Sequence, residues 1–295
     1  MRKVRQSGFE RFESYLVRLI QEKGADRDQS AGINLLLKVL KVLSFLFLGV
    51  VNFRYFLYRT GVLRRYPLGI QVISIGNVTA GGTGKTPHVE MILRMLLESD
   101  EWGARNIAVL SRGYKRSSRG FQQVDWEGKA SMYGDEPLQI KKKFPVVTVA
   151  VDRNRIEGCR FLTHPEELST SRRARRCAHK ELPAADIILL DDAYQYRKLK
   201  ADRNIVLVDY HRPVYDDKLL PLGRLRDLPE RVGDADVIIV TKCPCELDNW
   251  EKTAFARALG VKDYQASNCE GKGRNGRRQH CECRFHDMRT PFAVS

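Results

Sequence analysis

Residues 71–87 join an apolar run, Gln71-Val-Ile-Ser-Ile-Gly76, to the glycine-rich segment Asn77-Val-Thr-Ala-Gly-Gly-Thr-Gly-Lys-Thr-Pro87. Those types at that spacing suit phosphate binding. Gly81, Gly82 and Gly84 let backbone N–H groups turn toward phosphate oxygens, Lys85 reaches the β- and γ-phosphates, and the Thr86 hydroxyl is placed for Mg²⁺. A helix expected over Pro87 to Leu97 would add the positive end of its dipole. The loop is a variant, because the first glycine of G-x-x-x-x-G-K-[ST] would fall on position 79, which is Thr79.

Carboxylates follow at the distances such a loop requires. Ile187–Leu190 runs into Asp191-Asp192, four apolar residues and then an acid, the form in which a carboxylate reaches the loop's Mg²⁺. Gly134-Asp135-Glu136-Pro137 opens an expected helix. Asp135 there serves either as a helix N-cap or as the group that orients or deprotonates a hydroxyl nucleophile. Cations collect in Ser111-Arg-Gly-Tyr-Lys-Arg116, in Asp152-Arg-Asn-Arg155 and in Leu219-Leu-Pro-Leu-Gly-Arg-Leu-Arg-Asp227. Each is either a solvated turn or a clamp for phosphate charge.

These groups need a frame, and the apolar runs supply one. Val72–Ile75, Ile107–Leu110, Val146–Val151, Ile187–Leu190, Ile205–Val208 and Val237–Val240 are short β-branched stretches bounded by turns. They predict strands buried on both faces of a mostly parallel sheet, an α/β fold of the P-loop NTPase type flanked by helices, with function at the strand C-terminal ends.

The chain has 295 residues, 43% of them hydrophobic, with a formal net charge of +15, which suits an acidic partner. Seven cysteines form no even framework, and the Cys243-Pro-Cys245 and Cys281-Glu-Cys283 spacings are shorter than zinc sites usually show. Ile33 to Tyr58 is almost continuously apolar, with Lys38, Lys41 and Arg54 as its only charges, and no acidic residue occurs between Asp28 and Glu90. Val42 to Val51 is too short to span a bilayer. The pattern predicts a helix lying in a membrane interface, its cations against anionic headgroups and its aromatic residues at the acyl boundary; the alternatives are a core helix of a soluble domain and a full span with snorkelling lysines.

Taken together, Gly76 to Pro87, Ser111 to Arg116, Gly134 to Pro137, Asp191-Asp-Ala-Tyr-Gln-Tyr196 and Leu220 to Arg226 resemble the tetraacyldisaccharide 4'-kinase family, from about Ile33 to Tyr264. The resemblance implies an ATP-dependent, Mg²⁺-requiring kinase. Its substrate is the 4'-hydroxyl of a lipid A disaccharide precursor, and its place is the cytoplasmic face of the inner membrane, held peripherally. By that resemblance Thr79, Ala80, Gly81, Gly82, Thr83, Gly84, Lys85 and Thr86 hold ATP, Thr86 with Asp191 or Asp192 serves Mg²⁺, Asp135 is the acid of a catalytic dyad, and Arg155 and Arg226 contact phosphate and substrate. No nucleic acid and no obligate protein partner are expected, since the charge lies beside the apolar helix.

The chain departs from the family at Ala193, Tyr194 and Tyr196, and it lacks the His-His pair that completes the dyad. After Gln265 the composition turns to Gly and Arg without apolar periodicity, which predicts an unpatterned tail and a reading frame truncated or shifted near that point. The expected organisation is therefore a membrane-associating segment at 1–66, a kinase lobe at 67–265 and a disordered tail at 266–295. Two alternatives stay open, a membrane-associated P-loop ATPase or GTPase regulator and an inactive truncated kinase that keeps ATP binding.

Overall fold

A computed structural model of the chain describes residues 31–172, 174, 177, 181–244, 247–261, 264–269 and 281–287. Nearest the N-terminus is helix α1, Ala31–Arg59. The sheet begins with β1, Gln71–Gly76, followed by α2, Lys85–Leu97, and β2, Ile107–Ser111. After the two-residue β3, Gln122–Gln123, come α3, Ala130–Tyr133, α4, Asp135–Lys143, β4, Thr148–Val151, α5, Arg155–Thr163, and α6, Glu167–Thr170. The second half holds β5, Ile187–Asp191, β6, Arg203–Asp209, β7, Val237–Cys243, and α7, Asn249–Ala258.

The six predicted strands are all present and run parallel in the order β4-β2-β5-β1-β6-β7. Every residue of β2, β4 and β5 is buried, as continuous Ile, Val and Leu runs covered on both faces require. On one face Ile75, Val109, Leu189 and Leu207 pack against Val89, Ile92 and Leu93 of α2 and Leu138 and Ile140 of α4. On the other, Leu110, Ala150 and Ile188 meet Cys159 and Leu162 of α5, while Val206, Val208 and Val240 meet Ala256 of α7. Val146, expected to open β4, is exposed before the strand starts at Thr148.

The tail departs from expectation. Tyr264–Cys269 (β8) and Cys281–Asp287 (β9) form strands that extend the sheet, β9 running antiparallel to β7. A sheet edge offers a row of backbone N–H and C=O groups to any chain that can pair with it, so a strand can be added there without apolar periodicity in its sequence. His286 takes the register position opposite Val237, the first residue of β7, and so lies at the other end of the sheet from the parallel strands' C-termini.

Helix α1 has two apolar faces. Leu40, Ser44, Phe47, Leu48, Tyr55 and Tyr58 recur at helical spacing and face the lobe, with Leu40 and Tyr58 buried and Phe47 and Leu48 on the core. Ser44 Oγ donates to the Leu219 carbonyl at 2.8 Å and Tyr55 OH to Asp234 Oδ2 at 2.9 Å. On the opposite side Leu35, Val42, Leu46 and Phe53 are about 60% exposed each. At about 1.5 Å per residue the 29-residue helix is longer than the sequence pattern suggested, and by length and composition it suffices to cross a membrane. Its docking along the lobe gives it a different geometry, one face on protein and the other open.

Candidate active site

β1 ends at Gly76, where the chain turns into the glycine loop, and α2 starts directly at Lys85, two residues earlier than the sequence predicts. Gly84 at φ 82° is the α2 N-cap and Gly81 lies at φ 119°, conformations that a side chain would strain. Gly76 must be glycine for another reason, since a Cβ there would lie 2.7 Å from Tyr194 Cβ.

Asn77, buried at the root of the loop, braces it. Its Nδ2 donates to Thr83 Oγ1 at 2.8 Å, and its Oδ1 accepts from Arg226 Nη2 at 2.5 Å. Gln195 Nε2 donates to its backbone carbonyl at 3.0 Å. The loop containing Arg226 is paired with the glycine loop like a short strand: Ala80 N–H donates to the Arg224 carbonyl and Arg226 N–H to the Val78 carbonyl. Ala80 and Thr79 therefore hold the loop's shape, because the Ala80 amide is already committed and Thr79 bridges to Leu225. Among the described residues the N–H groups of Gly81, Gly82 and Gly84 make no hydrogen bond and face no competitor for a phosphate.

Asp191 and Asp192 arrive at the end of β5, the strand next to β1. Asp192 adopts a left-handed φ of 50° and lies 3.7 Å from Lys85 Nζ and 3.0 Å from Arg226 Nη2. Burial pushes its carboxyl up, but Lys85 and Arg226 together outweigh that and hold it below the ordinary range. Asp191 is buried; burial, with the charges of Glu136 and Asp192 behind it, pushes its carboxyl up to about 6. Ser111 Oγ donates to its Oδ2 at 3.0 Å, while Oδ1 has no partner. A buried carboxylate oxygen left open beside Asp192, on the strand adjoining the loop that presents Thr86, is the donor chemistry Mg²⁺ takes.

Arg155, expected to contact phosphate and substrate, lies at the end of β5. It is buried, with Nη1 donating to the Asp152 carbonyl at 2.7 Å and Nη2 to the Asp191 carbonyl at 3.0 Å, so it fixes the end of β5 from below. Arg116 is likewise turned inward, onto the Val151 and Gly120 carbonyls, while Arg112 of the same loop is exposed. Asp135 is exposed at the first position of α4, after Gly134 at φ 97°; it makes no side-chain cap. Its helix is tied to α2 through Glu90, which accepts from Gln139 at 2.7 Å and Lys143 at 2.6 Å. Glu136, one residue on, is close enough for its charge to act on Asp191, so the first turn of α4 faces the end of β5.

Asn77, Ser111 and Gln195 lie inside the segments singled out in the sequence but received no role of their own, because single polar residues near turns carry no spacing signal. Lys242, at a left-handed φ of 59° on β7, donates to the Gly82 carbonyl at 3.1 Å and to Asp209 Oδ2 at 2.5 Å, a further brace that only the tertiary fold brings to the loop. Among the described residues no cluster of His, Cys, Asp and Glu could hold a metal by itself.

The family model for tetraacyldisaccharide-1-P 4'-kinase matches residues 36–288. A tetraacyldisaccharide 4'-kinase of Bacteroides thetaiotaomicron is 40% identical over 228 residues, 77% of this chain and 55% of its own length. Another, of Parabacteroides distasonis, is 44% identical over 206 residues, 70% of this chain and 51% of its own. The crystal structure of LpxK from Aquifex aeolicus in complex with ATP superposes with a TM-score of 0.56 at 27% identity, covering 77% of this chain and 79% of that one. The chain spans about half the length of the curated relatives it matches.

Proposed function

The chain belongs to the tetraacyldisaccharide 4'-kinase family, and from that membership we propose that it transfers the γ-phosphoryl group of ATP to the 4'-hydroxyl of a lipid A disaccharide precursor at a membrane surface. The observation that carries this is the meeting of Lys85, Arg226 and the Asp191–Asp192 pair on one glycine loop.

The amides of Gly81, Gly82 and Gly84 and the start of α2 receive the phosphates, and Lys85 turns from Asp192 to their oxygens. Arg226, held between Asn77 and Asp192, presents a fixed guanidinium to charge that develops on the moving phosphoryl group. Thr86 and Asp191 are the residues that would hold Mg²⁺, which when bound neutralises charge on the β- and γ-phosphates. Asp135, exposed on the first turn of α4, accepts the proton of the attacking hydroxyl. Arg155 holds the end of β5 in place through the Asp191 carbonyl. The exposed apolar face of α1 brings the lobe to the bilayer in which an acylated substrate stays, consistent with a peripheral protein on the cytoplasmic face of the inner membrane.

The test is transfer of labelled γ-phosphate from ATP to a tetraacyl disaccharide 1-phosphate in detergent micelles. Labelling that is lost in Lys85→Ala and Asp135→Ala supports the proposal. Hydrolysis of ATP with no labelled lipid would instead identify a P-loop ATPase, and ATP binding with neither reaction would overturn the activity of this chain.

A further inference from the structure

A second cationic cavity lies away from the glycine loop, beneath the C-terminal half of α1. Its volume is about 310 Å³, and Arg65, Arg197, Lys200 and Arg231 line it against one carboxylate, Asp234. Arg197 is only 7% exposed, and among the described residues neither Nη1 nor Nη2 has a hydrogen-bond partner. Its guanidinium carbon instead lies 3.2 Å from the centre of the Tyr55 ring of α1, and both Nη atoms are buried without an acceptor. Ser74, 2% exposed on β1, lines the same cavity with a hydroxyl that also lacks a partner.

A buried guanidinium with unused donors costs free energy unless something accepts from it. Internal carboxylates do not perform that service. Asp227 and Asp234 act on Arg197 only through their charge, and Arg65 and Arg54 oppose them. Asp234 is engaged by Tyr55 OH and by Arg231 Nε at 3.4 Å. The unpartnered donors suit a compact anion with several acceptor oxygens, and a planar guanidinium beside a hydroxyl and flexible cations matches a phosphate group. The position of the cavity names the source. Tyr55, Arg54 and Tyr58 belong to α1, and Arg65 follows it; on the other side of the same helix Leu46, Val50 and Phe53 stand exposed.

We propose that this cavity is a phosphate site distinct from the ATP loop, and that it takes the headgroup of an anionic phospholipid while the apolar face of α1 enters the bilayer. The helix and the cavity then act together, acyl chains against one and phosphate in the other, and the pair sets how the lobe sits on the membrane. The proposal deepens the membrane association named above, yet its test needs no phosphorylated lipid and stands if the kinase activity fails.

The experiment is sedimentation of the protein with phosphatidylcholine vesicles, with and without phosphatidylglycerol. Arg65→Ser with Lys200→Ser changes only exposed residues of the cavity; Arg94→Ser with Lys142→Ser removes two exposed cations elsewhere. The cavity pair is expected to lose roughly tenfold or more of the preference for phosphatidylglycerol vesicles, and the distant pair much less. Arg197→Leu, checked for an unchanged melting transition, should lose at least as much. Equal losses in both pairs would reduce the effect to diffuse charge, and no loss would remove the site; either overturns the proposal. Inorganic phosphate at constant ionic strength, tested in a Lys85→Ala background, separates the two sources. Stabilisation that depends on Arg197, with vesicle binding unchanged in every variant, would assign the cavity to soluble phosphate and overturn the lipid headgroup.

Discussion

The glycine loop and helix α1 are both attached to the same sheet, but by different means. Around the loop nearly every side chain is committed. Asn77 touches Thr83 and Arg226, Arg226 touches Asp192, Asp192 lies beside Lys85, and Lys242 holds the Gly82 carbonyl. Such a network defines one geometry, because in a partly buried site an unpaired member costs more than a paired one contributes. α1 is held by the Ser44 and Tyr55 hydrogen bonds, aromatic and arginine stacking and a stripe of apolar contacts, and its other apolar face is exposed. One region is built so that position decides chemistry; the other is built to meet a fluid surface that has no fixed geometry.

That contrast can be broken by substitutions that separate chemistry from attachment. Lys85→Ala should have the largest effect, a loss of about 10²–10³ in transfer rate. The melting transition should stay nearly constant, since Lys85 only approaches Asp192 at 3.7 Å. A matching loss of stability would mean that the loop's charges hold the fold rather than the phosphate. Replacing Phe45 and Phe53 together by serine should release the protein from vesicles by roughly tenfold or more. Both are more than 60% exposed, so unfolding should move by no more than about 0.5 kcal/mol. A large drop in stability would show that this face is packed against protein.

Smaller effects sharpen the comparison. Asn77→Ala should cost about 1–3 kcal/mol in denaturant unfolding, as Thr83 and Arg226 lose a shared partner. It should also lower ATP affinity, whereas a purely structural brace would leave affinity alone. Gly76→Ala forces a Cβ to 2.7 Å from Tyr194 and should cost about 1–3 kcal/mol by the same assay. Tyr55→Phe removes the exposed bond to Asp234 and keeps the ring over Arg197, so a change below about 1 kcal/mol is expected. A larger one would make that single bond the anchor of α1.

Where residues sit in continuous patterns the sequence was legible. β1, β2 and β5 appear within a residue or two of their apolar runs, because a strand covered on both faces must be apolar throughout. The Gly84-Lys85-Thr86 turn and the Asp191-Asp192 pair fall side by side as their spacing predicts, since parallel neighbours align their C-terminal ends. Arg155 and Arg116 were harder to place. An arginine after a strand looks the same in sequence whether it meets a phosphate or turns back onto carbonyls, and here both turn back. β8 and β9 left no pattern because pairing at an edge uses the backbone, which every residue carries.

By itself, then, the sequence determined the sheet, the loop and the presence of an apolar helix, all properties that depend on neighbours a few positions apart. Only the tertiary structure decided that Asn77, Gln195, Arg226 and Lys242 meet at one loop, and that Arg197 lies under Tyr55 with its Nη groups buried and unpartnered. Those pairs are separated by more than a hundred residues in the chain, and the contacts that join them exist only after the strands have paired.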